Sequence, residues 1–410
     1  MYSDTLLKFV SANLINMDNI NLSSFVERKR PEVILDYTKD PYGKLVIEIN
    51  CNETLSYIRK KREKNYDSNN ILFIFLDNLS RVHFYRQYKK VSKFLKKFLR
   101  YEGYSNQNNN QIYHGFEFMK YHKFQGATIF NAIPMFSGVD FSFTNRMVSI
   151  VKDLKNLGYI TCNVQDICHK ELMSIRRTPS YTYIEFDHEY AATNCDPNVY
   201  KYGFGFFEGE NSMLRKCLYG KESFEYSLEY GRKFWEAYKY NKKFLRIVNT
   251  YAHEYSGEKS KYTDDLLYNF LNGLYSENLL ENTTVFIAGD HGFALMGIYK
   301  LLDSSDWKIE ISFPIFILLI PDKKNMTYNE QYKEILENQQ TLITPFDIFF
   351  TLRHIIYGNN YKENLHFQQK NKGESLFKFI DPKNRICKRY RNFGDCQCKT
   401  NTKKNKKKKN

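Results

Sequence analysis

The chain has 410 residues, 42% apolar and 17% aromatic, so it can bury one large core or two smaller ones. Its formal net charge is +15; without the six lysines of 403–409 the excess falls to +9, spread along the chain. Neither zinc-finger spacing nor an RNP-type motif occurs, which excludes the common nucleic-acid modules, and no apolar run reaches the ~18 residues of a membrane-spanning helix.

Residues 1–70 are irregular and polar, with short alternating pieces such as 44–49 that read as strands, and 66–70 reads as a turn. From Ile71 to Leu76 six apolar residues run without alternation, the pattern of a strand buried on both faces. The run stops at Asp77, where open α/β sheets place ligands. After a loop, 88–101 carries Val91, Phe94, Leu95, Phe98 and Leu99 at helical spacing, and 107–111 is a polar loop. Thr128 stands as N-cap of a short helix whose length Pro134 and Gly138 limit. A helix follows at 145–157 and a strand at 159–164, and the weakly periodic 165–215 reads as a cap-like excursion. Next come a helix at 223–240 and a strand at 244–249 that leads to His253. The 263–280 helix places Leu266, Leu267, Phe270, Leu271 and Leu274 on one face. A buried strand at 284–289 ends in Asp290-His291-Gly292. The strand at 313–320, interrupted at Pro314, should lie at an edge or begin late, and 345–357 is a helix with Pro at its start. This alternation predicts an α/β fold, a three-layer α/β/α sandwich on a mixed central sheet, over 71–360. It is preceded by the 1–70 extension and followed by a cysteine-bearing extension at 361–398 and a disordered basic tail at 399–410.

Three strands end in potential metal ligands: Asp77, His253, and the Asp290-His291 pair. Strand ends hold side chains rigidly at one sheet edge, and carboxylate with neutral imidazole suits zinc or a similar divalent ion. Each residue also has a plain structural reading, since a strand-end Asp caps turns and a lone His packs in cores. The Asp-His pair is more specific because Gly292 permits a tight turn beside it. With a metal present, Thr128 becomes a nucleophile whose hydroxyl is activated next to a helix N-terminus suited to an anion; without one it is an N-cap.

Eight cysteines, an even number without zinc spacing, and sequons at Asn21, Asn52, Asn282 and Asn325 point to an oxidising, extracellular or luminal compartment. No secretory leader is visible at Met1, so the expectation is a chain that begins downstream of a leader or membrane tether; the alternative is a cytosolic chain with chance sequons. The basic surface suits an anionic ester on a glycan or lipid, or serves solubility alone.

Several blocks resemble, in order, the domain-of-unknown-function 229 family, a nematode-expanded branch of the alkaline phosphatase-like, sulfatase-like superfamily. They are Leu76-Asp77-Asn78-Leu79-Ser80-Arg81 with Arg86, Ala127-Thr128-Ile129-Phe130-Asn131, and Gly158-Tyr159 through Gln165-Asp166. His253, Asp264 and Gly289-Asp290-His291-Gly292 follow, then Glu310, Thr344-Pro345-Phe346-Asp347, Cys387 and Cys396-Gln397-Cys398. The resemblance implies an alkaline phosphatase-like fold and a two-metal site. Asp77, Thr128, Asp290 and His291 would surround one divalent ion, expected to be zinc, and His253 would serve the second. Thr128 would be the catalytic nucleophile, and Asn78 and Asn131 would lie on the substrate side. The implied function is hydrolysis of phosphate mono- or diesters. The alternatives are a catalytically degenerate member that binds glycans or protein, and a phosphoethanolamine-type transferase. The sequence departs from the family pattern at Asn249, where many superfamily members carry Asp, and at Ala127 and Phe130; His354 is the remaining candidate for a third His. A sulfatase reading lacks its nucleophile segment. Ser80 is expected to fix its loop, and the Asn78 sequon to be unused.

Overall fold

The strand predicted from its unbroken apolar run is Asn70–Leu76 (β1), fully buried from Ile71 onward and flanked by strands on both sides. The computed structural model describes residues 69–101, 113–140, 149–166, 186–190, 217–218, 220–253, 257–292, 305–322, 330–365, 367–385 and 396. The strands expected before residue 69, the 107–111 loop, most of the 165–215 excursion and the basic tail lie outside those residues.

The other strands are Tyr113–Glu117 (β2), Ile160–Gln165 (β3), His188–Tyr190 (β4), Cys217–Leu218 (β5), Lys221–Glu222 (β6), Lys243–Asn249 (β7), Thr283–Gly289 (β8) and Phe316–Pro321 (β9). Helices that matter here are Arg81–Gln87 (α1), Lys89–Lys96 (α2), Thr128–Ser137 (α3), Ile150–Asn156 (α4), Ser223–Ala237 (α5), Asp264–Ser276 (α6), Ser305–Ser312 (α7), Glu330–Asn338 (α8) and Pro345–Tyr357 (α9).

The main sheet has seven strands in the order β2-β9-β8-β1-β7-β3-β4. β1 pairs in parallel with β7 and β8, β3 in parallel with β7 and β4, and β9 runs antiparallel to both β8 and β2. A sheet with parallel central strands needs apolar cover on both faces. Leu72, Ile74 and Leu76 share one core with Phe94, Leu95, Phe234 and Leu267. Ile71, Phe73 and Phe75 share the other with Phe136, Leu154, Phe349 and Ile335. Two helical layers therefore sandwich a mixed sheet, the fold class expected from the alternation.

Several local expectations are corrected. A helix, α1, stands where a loop was expected after Asp77, because the Ser80 hydroxyl accepts from the His83 N–H at 2.9 Å and caps it. The helix predicted over 88–101 stops at Lys96, since Leu99 bridges Gly115 and the Arg100 N–H donates to the Gly115 carbonyl at 2.8 Å. Ala127, not Thr128, is the N-cap of α3, and Pro134 lies inside that helix; Gly138, at φ +67°, ends it. The strand near Pro314 does begin late, at Phe316, but β2 pairs outside it, so it is not the edge.

Residues 367–385 are fastened to the sandwich rather than trailing from it. Arg385 grips Asp347 through both guanidinium nitrogens, at 3.0 and 2.8 Å, with both side chains buried. The Asn338 amide donates to the Leu376 and Lys378 carbonyls and accepts from the Ile380 N–H. Cys162 is a buried free thiol and Cys396 is disulfide-bonded. No helix among the described residues is long and apolar enough to cross a membrane.

Candidate metal and nucleophile site

Parallel pairing sets Leu76 of β1 opposite Gly289 of β8, so the residues that follow, Asp77 and Asp290, leave the sheet side by side at its carboxyl edge. Two backbone ties hold them there. The Asp77 N–H donates to the Asn249 carbonyl at 2.9 Å, and the Asn78 N–H donates to Asp290 Oδ1 at 3.0 Å. Asn78 adopts φ +60° to do so, a conformation Asn tolerates, and its amide donates to the Ala252 carbonyl at 3.0 Å.

His291 and Gly292 complete the turn. Gly292 does not have a positive φ, so its freedom to turn is not what the position uses. The position needs space: a Cβ there would overlap the Glu310 carbonyl oxygen and stand 2.9 Å from Ser80 Cβ. The Gly292 N–H donates to the Ile311 carbonyl at 2.9 Å, which docks the turn on α7.

Asp77, Asp290 and His291, all buried, present ligand atoms within 4.8 Å of one another, and among the described residues no other such cluster of three occurs. His291 Nδ1 lies 2.9 Å from the Gly292 carbonyl. A carbonyl only accepts, so Nδ1 carries a hydrogen and Nε2 is the ring atom turned toward the cluster. Asp290 Oδ2 lies 3.2 Å from that Nε2 and receives no hydrogen bond from a fixed donor among the described residues. Burial, the neighbouring Asp290 charge and, further off, Asp166 push the Asp77 carboxyl well above its ordinary range, while the Thr128 hydroxyl opposes them. Two carboxyl groups and an imidazole nitrogen thus converge on one small buried space. Oxygen and imidazole donors of this set fit a divalent cation.

Thr128 joins from the facing helix layer. Its hydroxyl donates to Asp77 Oδ1 at 3.1 Å and stands 3.3 Å from His291 Nε2. Thr128 is half-buried while Gly126 and Ala127 are exposed, so a ligand reaches the cluster past the hydroxyl. Ala127 offers no side-chain cap, which leaves the α3 N-terminus to an outside acceptor.

The structure thus brings together Asp77, Thr128, Asp290 and His291, and places other expected residues differently. Asn131 is wholly buried: its Oδ1 accepts from the Phe124 and Gln125 N–H groups, and its Nδ2 donates to the Gln125 and Ala127 carbonyls. It fastens the loop that carries Thr128. Asn78 likewise ties the Asp77 turn to the Ala252 segment. His253 follows β7, half-buried, with its N–H on the Thr250 carbonyl at 2.8 Å, and is not one of the three clustered ligands. His354 lies in α9 with Nδ1 2.8 Å from the Ser375 hydroxyl; burial lowers its pKa to about 4. Ser80 caps α1 and donates to Glu310 Oε1 at 2.8 Å, and Glu310 also pairs with Arg86, so the fold joins three residues that lie far apart in sequence.

Sequence reasoning overlooked the role of Asp166. It ends β3, two strands from Asp77, and accepts from both the N–H and the hydroxyl of Thr250. Its strand carries Thr161, Asn163 and Gln165, so Asp166 does not stand out in the sequence as Asp77 does after an unbroken apolar run.

The fold and site define a mixed-sheet α/β/α protein with a ligand cluster at the carboxyl edge of its central strands. The chain belongs to the family described as Protein of unknown function (DUF229), whose model matches residues 35–410, as the order of its motifs implied. No curated protein matches it. Among solved structures it is similar to the C-terminal periplasmic domain of phosphoethanolamine transferase EptC from Campylobacter jejuni, at 11% identity and TM-score 0.43, covering 72% of this chain and 94% of that one. It is also similar to the lipoteichoic acid synthase LtaP from Listeria monocytogenes, at 13% and 0.40, covering 67% and 72%. A protein in the alkaline phosphatase superfamily from Vibrio parahaemolyticus matches at 13% and 0.45, covering 81% and 80%.

Proposed function

We propose that the chain is a metal-dependent hydrolase of phosphate mono- or diesters with Thr128 as nucleophile, working in an extracellular or luminal compartment. The observation that carries this reading is the Thr128 hydroxyl, 3.1 Å from Asp77 Oδ1 and 3.3 Å from His291 Nε2, at the accessible side of a buried ligand cluster. Asp77, Asp290 and His291 would hold the cation, for which zinc suits the donor set. When bound, a divalent ion supplies Lewis-acid activation of a hydroxyl and neutralises ester charge.

The chain's own residues do the rest. Asp77 Oδ1 accepts the Thr128 hydroxyl hydrogen and orients the oxygen outward. The uncapped first turn of α3 offers N–H donors to the anionic ester oxygens. Attack by Thr128 Oγ on phosphorus forms an O–P bond and releases the ester alcohol; water then cleaves that bond and restores the hydroxyl. Asn131 and Asn78 serve as positioning residues. The disulfide at Cys396 supports an oxidising compartment, and an anionic ester on a glycan or lipid of that compartment is the substrate class.

The test is hydrolysis of aryl phosphates and phosphodiesters by zinc- or manganese-loaded protein. Thr128→Ala should lose at least about a hundredfold in kcat while still binding metal. Full activity in Thr128→Ala would refute the nucleophile assignment. Stoichiometric metal with no turnover of any ester would favour the binding-module reading.

A further inference from the structure

Arg246 is a buried charge with no contacting counter-ion among the described residues. It lies in β7, 8% exposed, in register with Phe73 of β1 and Asn163 of β3. Its guanidinium stands over the Phe136 ring at 4.9 Å and the Phe186 ring at 5.1 Å, so it points to the sheet face that α3 covers. Its Nε donates to Asn163 Oδ1 at 2.6 Å, and because an Nε–H only donates, the other end of that amide is Nδ2. The Asn163 NH₂ is buried and meets no acceptor among the described residues. The two terminal nitrogens of Arg246 meet none either, yet they are not sealed from solvent. Arg353 and Arg385, just as buried, each contact a carboxylate, on Asp153 and Asp347. Burial pulls the pKa of Arg246 down to about 10, and Glu189, on β4 opposite Asn163, opposes that only through space.

A buried guanidinium without a paired anion is costly, and water can meet its hydrogen bonds but not its charge. The Arg246 fork and the Asn163 NH₂ are unmade donors in register on adjacent strands, joined by one hydrogen bond, so a single oxyanion can reach both. We propose that Arg246 and Asn163 form a second ligand site, which takes an oxyanion group of a ligand: a carboxylate, or a phosphate or sulfate. The fork donates to two of its oxygens, and the Asn163 NH₂ donates to one of them. Phe73, opposite Arg246, precedes Asp77 by four residues, about 13 Å along the strand. The site is thus separate from the Asp77–Asp290–His291 cluster. Helix α3 spans both, with Thr128 in its first turn and Phe136 in its last. The proposal goes beyond the hydrolase reading and stands whether or not Thr128 is a nucleophile.

The experiment titrates the metal-free full chain with acetate, inorganic phosphate and sulfate at constant ionic strength, chloride making the balance, and reads the unfolding midpoint. Ions excluded from the surface stabilise in proportion to their concentration, whereas a bound oxyanion saturates. A saturable rise is expected in the wild type. A tighter response to acetate assigns a carboxylate, and a tighter response to phosphate or sulfate assigns a tetrahedral group. Arg246→Met should abolish the rise. Arg246→Lys keeps the charge but loses the fork, and should weaken the apparent affinity at least about tenfold. Asn163→Asp, close to isosteric, gives Arg246 a carboxylate of the chain's own and should also lose the response; it carries the test if Arg246→Met does not fold. No saturable rise in the wild type with any of the three ions would overturn the proposal. A wild-type response in folded Arg246→Met or Asn163→Asp would overturn it too. Because the protein is metal-free, either result leaves the hydrolase reading standing.

Discussion

Gly292→Ala probes how tightly the ligand turn is docked. An added Cβ would overlap the Glu310 carbonyl oxygen, stand 2.8 Å from the carbonyl carbon and 2.9 Å from Ser80 Cβ. Carbon atoms prefer about 3.5–4.0 Å, so at least ~0.7 Å of separation must be found, and more at the oxygen. α7 and its flanks resist moving. The Gly292 N–H holds the Ile311 carbonyl at 2.9 Å, the Arg81 N–H holds the Phe313 carbonyl at 2.9 Å, and Ser80 holds Glu310 at 2.8 Å. The His291 turn therefore gives way, carrying Nε2 from its place beside Asp290 and Thr128. Overpacking of this kind costs about 1–3 kcal/mol, and a displaced ligand costs about 10–100-fold in metal affinity. Thermal unfolding and zinc calorimetry measure the two losses. Gly126→Ala is the control, because a Cβ there meets nothing within 4 Å and should leave both unchanged. Wild-type melting and zinc affinity in Gly292→Ala would refute the docking argument.

Other outcomes follow from single features. Chelation should lower the stability of metal-loaded protein by about 3 kcal/mol when free ion had stood near a hundred times Kd, read as a drop in Tm that added zinc reverses. Lys243, buried over the Trp235 ring, has its pKa lowered by burial to about 8 from 10.5; the unfolded chain binds the extra proton between those values, so stability should rise with pH across that window, by up to about 3 kcal/mol, and Lys243→Met should flatten the rise in chemical-denaturation profiles. In a secretory host, peptide mapping should find a glycan on Asn282, exposed in a turn at φ +54°, and none on buried Asn78; a glycan on Asn78 in folded protein would contradict the site geometry.

How much of this was legible in the sequence depended on how each residue is used. β1 and β8 showed themselves because both faces of each are covered, which demands unbroken apolar runs. β2 did not, because Tyr113–Glu117 buries His114 and Glu117, and Glu117 is satisfied by partners such as Arg81 and Tyr101 that only the fold brings in. Asp77, Asp290 and His291 were visible as polar stops on buried strands, and Thr128 through its place in the matched blocks. The work of Asn131 was not visible, since its four hydrogen bonds depend on how the 124–127 loop doubles back.

Hydrogen-bond accounting separates the scaffold from the reactive groups at this edge. Asn78, Asn131 and Asp166 spend their polar atoms on neighbouring backbone, so replacing them should cost folding. Asp77 differs, because burial and Asp290 both oppose its charge and only a cation repays them. In metal-free protein its folded pKa lies above the ordinary 3.8, so the folded state binds more protons and stability falls as pH rises from about 3.8 through that raised value. Asp77→Asn keeps an oxygen for the Thr128 hydroxyl and removes the charge. The metal-free variant should be more stable than metal-free wild type at neutral pH, lose the acid-side pH dependence, and no longer be stabilised by zinc. A variant less stable than wild type under metal-free conditions, yet still stabilised by zinc, would mean that Asp77 serves the scaffold and that the cation lies elsewhere.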